Sequence, residues 1–358
     1  MFALKRLMPA ASFALLLTLA ACGDSLSPAD VDPVALQSSM SDAAGTFAQN
    51  AVFQSVTMLS PHFPRYGAPA LGLAGLTLQR LQHPGTAESQ QAARRIAQLA
   101  ASFSANPQAL FPADVLGKTL VWDANTNAYV VGNAPGAPAT GIRILLYFTN
   151  AATGMPFLPI TPIGSLDLTD KSTPQANRLG VTLAFGQTTV SAYDITVVSG
   201  TTSATVTAKG YLAAVAGPER IDFGLSDLIA VSGQTLSLTS TNDLTSSGAA
   251  IHVVLTQADI FLGAGTIVAR ISRGNATAEL TVTGDLGNRT GPLSGGVKFN
   301  NTTVATIGGT FENPAITGSG GHTFTAAQID ALLQIFGSAI DFAFDFSTGV
   351  LSPGTIVF

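Results

Sequence analysis

Few residues in this chain have the types and spacing that chemistry needs. The four histidines, His62, His83, His252 and His322, lack the short spacings by which a helix or hairpin presents two ligands to one metal ion. A Ser-His-Asp triad can be assembled from distant residues, but the sequence has neither a Gly-x-Ser-x-Gly elbow nor a Ser-x-x-Lys pair. Leu116-Gly117-Lys118-Thr119 resembles the end of a phosphate-binding loop. The glycine that such a loop needs five residues earlier is Pro112, and no strand precedes it, so the segment reads as a loop entering the first strand. Residues 123–127 begin like a calcium loop, but the sixth position is Ala128 rather than Gly and the twelfth is Ala134 rather than Glu. An Asn/Asp-rich hairpin turn between Trp122 and Tyr129 accounts for them better. Asp341 and Asp345 have the alternation of paired acids on one strand face, but read better as the solvated side of a half-buried strand. These residues assign no catalytic, cofactor-binding or metal-ligating role, and the chain calls for no cofactor.

The composition excludes further classes. Of 358 residues, 46% are hydrophobic and 10% are charged, against about 25% charged in an average globular protein. Disordered chains need the opposite balance. Nucleic-acid binding needs clustered Lys and Arg to neutralise phosphates, and the formal net charge here is -5. Without Lys5 and Arg6, 14 basic residues face 21 acidic ones, or -7.

Cys22 is the sole cysteine, so no disulfide can form within the chain, and the residues after it supply no thiolate for catalysis or zinc binding. It ends a stretch with a characteristic order. Lys5 and Arg6 are followed by a short apolar run over residues 10–20, then by Ala20 and Ala21. The run is shorter than the roughly 20 residues of a membrane-spanning helix. Leu19-Ala20-Ala21-Cys22 resembles the lipobox of bacterial lipoproteins. The resemblance covers the leader alone. It implies cleavage before Cys22, so that 1–21 is a signal peptide, and acylation of Cys22 by palmitate-like chains. Each buried methylene of such chains contributes about 0.8 kcal/mol to membrane anchoring. In that class, Asp directly after the Cys favours inner-membrane retention in some bacteria. Gly23 stands there, so the outer membrane is the expected address rather than the inner one.

The elements that would position any site follow. Residues 22–33 read as a lipidated Cys and a polar, Pro-containing tether. Residues 34–118 read as a helical region. Met40, Ala44, Phe47 and Ala51 recur at helical spacing over 34–60, and a second amphipathic helix is expected over 87–103. From Thr119 alternation replaces helical spacing, with Gly/Asn/Ser turns between short runs. The expected fold is mainly β with a helical N-terminal region (α+β). Its centre is a large antiparallel meander of roughly a dozen or more strands, in a half-barrel or sandwich. Thr325-x-x-Gln328 is a capping box for one helix, about 326–337, with Gly337 as its stop, packing on the sheet. After it, Ile340, Phe342, Phe344 and Phe346 alternate with polar and small residues, like a strand with one apolar face, and a last strand is expected to end at Phe358. A terminal aromatic also suits an outer-membrane barrel, but one Trp and five Tyr supply the aromatic girdles poorly.

Three functional expectations result. The first is a membrane-anchored binding module whose enclosed apolar face, including Phe342, Phe344 and Phe346, holds a hydrophobic small molecule or lipid. The second is a structural or surface scaffold without ligand. The third, ranked last, is a hydrolase with an unrecognised site. The membrane is a partner through the lipid anchor, nucleic acid is excluded, and no protein partner is specified.

Overall fold

The computed structural model describes residues 28–357 except 49, 67–108, 151, 201, 216–218, 233–234, 247, 259–263 and 287–289. The leader with Cys22 and the expected helix over 87–103 lie outside the described residues.

The chain is mainly β, as the alternation from Thr119 onward requires. Its strands are β1 (Lys118–Asp123), β2 (Ala128–Gly132), β3 (Gly141–Tyr147), β4 (Pro162–Asp170) and β5 (Asn177–Phe185). Then come β6 (Thr188–Ser199), β7 (Ser203–Ala213), β8 (Arg220–Ser232), β9 (Thr235–Thr245) and β10 (Ala250–Gln257). The last are β11 (Ala264–Arg273), β12 (Ala276–Asp285), β13 (Thr290–Phe299), β14 (Thr302–Gly309) and β15 (Pro314–Gly318). All belong to one 15-stranded sheet in which β3 to β15 follow one another as an antiparallel meander. The exception lies at one edge, where β1 pairs parallel with β3 and antiparallel with β2. Among the described residues the edges β2 and β15 do not pair, so the sheet is open and not a closed barrel, and it is one sheet rather than the two of a sandwich.

Two-residue periodicity sends alternate side chains to opposite faces. One inner row runs Ile195, Ala208, Leu225, Asn242, Val253, Ala269, Leu280 and Val297 across eight strands. The outer face carries Thr, Ser and cross-strand charges, among them Lys171–Asp194 at 2.7 Å and Lys298–Glu279 at 2.9 Å. Such pairs support the register modestly.

Three helices complete the fold: α1 (Pro33–Ala48), α2 (Ala51–Leu59) and α3 (Ala326–Leu351). The single helix expected over 34–60 is two. Asn50 divides them because its side chain is employed twice. It accepts from the Phe53 N–H at 3.0 Å as an N-cap and donates to the Ala213 carbonyl at 3.0 Å. Met40, Val52, Val56 and Leu59 share one continuous core with the sheet.

In a meander the connections alternate between two rims. The first rim carries the β3–β4, β7–β8, β9–β10 and β11–β12 turns. The first two helices run along it: Arg273, at the end of β11, donates to the Ala35 carbonyl, Asn50 meets the end of β7, and Ser55 accepts from the Tyr147 N–H at the end of β3.

The C-terminal expectations need correction. The capping box is present: the Gln328 N–H donates to Thr325 Oγ1, and Gln328 Oε1 accepts from the Thr325 N–H. Gly337, however, does not end the helix, which runs through 340–346 to Leu351. An interior glycine costs about 1 kcal/mol relative to Ala. Burial of Ile335, Phe336, Ala339, Phe346, Val350 and Leu351, at near-helical spacing, offsets it. The expected last strand is replaced by a 3-10 turn, Ser352–Ile356, where Pro353 can donate no hydrogen bond to a ladder.

Candidate functional site

The proposed ligand row of Phe342, Phe344 and Phe346 does not exist as a strand face. On a helix each two-residue step turns about 200°, so three alternate positions cannot line one face, although the first and third, four residues apart, do. Phe346 is 4% exposed and packs edge-on against Phe223 of β8, with centroids 5.3 Å apart. Asp341 and Asp345 are helical positions too, so the idea of paired acids on a strand is withdrawn.

The segments that imitate binding motifs are turns. Gly117 adopts φ +72° at the entry to β1, a conformation that favours glycine. Asp123 accepts from the Asn125 N–H at 3.0 Å and from the Thr126 hydroxyl at 3.0 Å, and Trp122 pairs directly with Tyr129 across the hairpin. Those hydrogen bonds, the Asn125 N–H first, hold the Asp123 carboxyl below its ordinary range.

The histidines do not converge. His62 packs on the edge of Trp122 at 5.1 Å. His252 meets Asp243 at 2.6 Å on the outer face, with the two side chains 43% and 59% exposed, so the pair is solvated. His322 lies in the turn after β15, where its N–H donates to the Ser319 carbonyl, and His83 lies outside the described residues. Among the described residues no three of His, Cys, Asp and Glu are placed to share a metal ion.

What sequence reasoning missed is a polar cluster inside the sheet. Asp227 on β8, Ser240 and Asn242 on β9, and Ser347 on α3 are each no more than 1% exposed. Ser347 donates to Asn242 Oδ1 at 2.9 Å, and the Asn242 amide donates to Ser240 Oγ at 3.3 Å. Ser240 then hydrogen-bonds the Asp227 carboxyl, which it faces in the ladder. The other carboxyl oxygen, Oδ1, has no hydrogen-bond partner among the described residues. Burial pushes the Asp227 pKa up to about 6, and the Ser240 bond pulls it down less strongly. A signal did exist: Asp227 and Asn242 occupy apolar positions in strands that otherwise alternate cleanly. Only the register shows that they are near neighbours.

The clefts at the surface are lined elsewhere. One of about 760 Å³ opens on the first rim between α1 and the strand turns, lined by Asp42, Thr46, Asn50, Glu219, Arg220 and Arg273 among others. None of the three principal clefts is lined by Asp227 or Asn242. With all four side chains at most 1% exposed, the arrangement can hold a proton in the core.

The chain matches no known protein family, no curated protein and no solved structure. Architecture alone places it in a class: an open antiparallel meander sheet whose apolar face is covered by helices of the same chain.

Proposed function

We propose that the protein is a lipid-anchored protein of the cell envelope, held at the outer membrane through Cys22, whose β body serves as a scaffold without enzymatic activity. The observation that carries the scaffold role is the state of the inner face. Among the described residues its apolar side chains from Ile142 on β3 to Ile307 on β14 are buried, with Phe185 partly so, and form one cluster with α1, α2 and α3. A carrier of hydrophobic molecules needs that space for its ligand. Here the chain's own helices occupy it.

The test is native mass spectrometry, with lipid extraction, on the protein purified from membranes. The expected species is the polypeptide from Cys22 onward plus its acyl groups. A stoichiometric apolar molecule beyond those groups would overturn the scaffold and restore the binding module. A Cys22→Ser variant should leave the membrane or stay unprocessed. Unchanged acylation and membrane retention would overturn the anchor.

A further inference from the structure

We infer that the hairpin 148–157 and the adjoining Leu158 dip into the bilayer to which the protein is tethered, so that the first rim faces the membrane. This rests on the anchored reading above and adds an orientation to it.

The hairpin is closed by backbone hydrogen bonds and carries exposed large apolar side chains at its base, below a turn with Asn150 and Thr153. The Phe157 N–H donates to the Phe148 carbonyl at 2.9 Å, and the Asn150 N–H donates to the Met155 carbonyl at 2.8 Å. The Thr149 hydroxyl is 2.9 Å from Met58 Sδ, which ties the hairpin to α2. Phe148 is 54% exposed, Phe157 54% and Leu158 78%. No charged residue occurs from Ile144 to Leu166, between Arg143 and Asp167. Large apolar side chains held outward on a hydrogen-bonded, uncharged turn enter lipid without an ion having to be desolvated.

Position selects the bilayer as the occupant. Large exposed apolar residues are unevenly placed among the described ones. Phe148, Phe157, Leu158, Val215 in the β7–β8 turn and Val34 at the start of α1 lie on the first rim. Leu116, Val198 and, near the end of β2, Val131 lie toward the opposite rim, and Val130 sits beside Val131 on the edge strand. The chain also enters the fold at the first rim, since Ala35 is fixed there by Arg273. Between Cys22 and Pro28 an extended chain spans at most about 20 Å, so an acylated Cys22 keeps this rim close to the lipid. Along α1, the break at Asn50 and α2, the path from Ala35 to Met58, beside the hairpin, is no more than roughly 40 Å. The neighbouring β1–β2 turn, with Asp123 and Asn125, is polar and would stay among the headgroups.

The experiment uses the full acylated protein in vesicles of phosphatidylethanolamine and phosphatidylglycerol with brominated acyl chains. Leu158→Trp places a reporter on the hairpin, and Leu228→Trp places one on the outer sheet face, where Leu228 is 43% exposed. The unmodified chain corrects for Trp122. The expected result is a blue-shifted, quenched emission from position 158 and an unquenched one from position 228. An unquenched reporter at 158, or equal quenching at both positions, overturns the orientation. Intact mass reports acylation separately, so failure of the anchor and failure of the docking hairpin remain distinguishable.

Discussion

Ser347 on α3 and Asn242 on β9, 105 residues apart in the chain, meet inside the inner face, where the serine hydroxyl donates to the asparagine side-chain oxygen at 2.9 Å and neither residue reaches solvent. With the Tyr193 hydroxyl, which donates to the Val350 carbonyl at 3.0 Å, the bond ties α3 to the sheet by hydrogen bonds as well as by apolar contacts. It also starts a line of donors, Ser347 to Asn242 to Ser240 to Asp227, aimed at a carboxyl group.

Ser347→Ala therefore leaves a buried amide oxygen without its donor. Such losses cost about 1–3 kcal/mol. Urea unfolding should show the midpoint falling at unchanged slope. A shift within error of zero would mean that the bond contributes nothing net.

Asp227 gives the stability a pH dependence of definite sign. Its pKa is raised to about 6 in the fold, above the ordinary 3.8, so the native state binds the proton more tightly than the unfolded chain. The protonated carboxyl's advantage is fully present below pH 3.8 and is lost as the pH rises through about 6. By linkage the loss saturates near 3 kcal/mol above that pH, as an order of magnitude. Asp227→Asn keeps an oxygen to accept from Ser240 and cannot ionise. It should be more stable than the parent at pH 7.5, with the difference shrinking toward pH 4. Parallel stability curves for the two proteins over that range would show that Asp227 does not titrate there.

Phe346→Ala should destabilise by about 3–5 kcal/mol, the range for an enclosed phenylalanine. It removes a ring packed between α3 and Phe223. Thermal unfolding reads this directly. A loss below about 1 kcal/mol would imply that the helix end is not docked as described.

Gly295 on β13 lies against the neighbouring backbone. A Cβ there would overlap the Thr281 carbonyl oxygen on β12, which no side-chain rotation can relieve. Gly295→Ala should lower stability by about 1–3 kcal/mol or more. Amide hydrogen exchange should show β12 and β13 losing protection first. Gly308→Ala, where nothing lies within 4 Å, is the matched control and should be close to neutral.

Much of the β body was legible because its signals are local. Turn residues and two-residue alternation repeat within each strand pair, and nearest-neighbour pairing follows chain order from β3 to β15. The hairpin at 123–127 and the Thr325–Gln328 box were readable for the same reason, since their hydrogen bonds close within three residues. The parallel β1–β3 pairing carried no such mark, because β2 intervenes in sequence but not in space.

The segment 340–346 marks the limit. Its apolar residues satisfy a strand's period of two and, taken with Phe336, Ala339 and Val350, a helix's stripe as well. Local propensity cannot choose between these; the choice depends on what the segment is buried against. Phe223, Tyr193 and Asn242 receive Phe346, the Val350 carbonyl and Ser347. Those contacts select the helix. The polar cluster was hidden for a related reason. Asp227 and Asn242 are isolated polar residues in the chain, and only the β8–β9 register brings them together.

By itself, then, the sequence determined the alternating strands, the turns, the capped start of α3 and the leader that resembles a lipoprotein's. The tertiary structure decided that α3 continues past Gly337, that Asn50 splits the first helix and that the inner face is covered by the chain's own helices. The physical reason is range. Turns and caps are closed by hydrogen bonds a few residues apart, whereas burial and register are set by partners a hundred residues away.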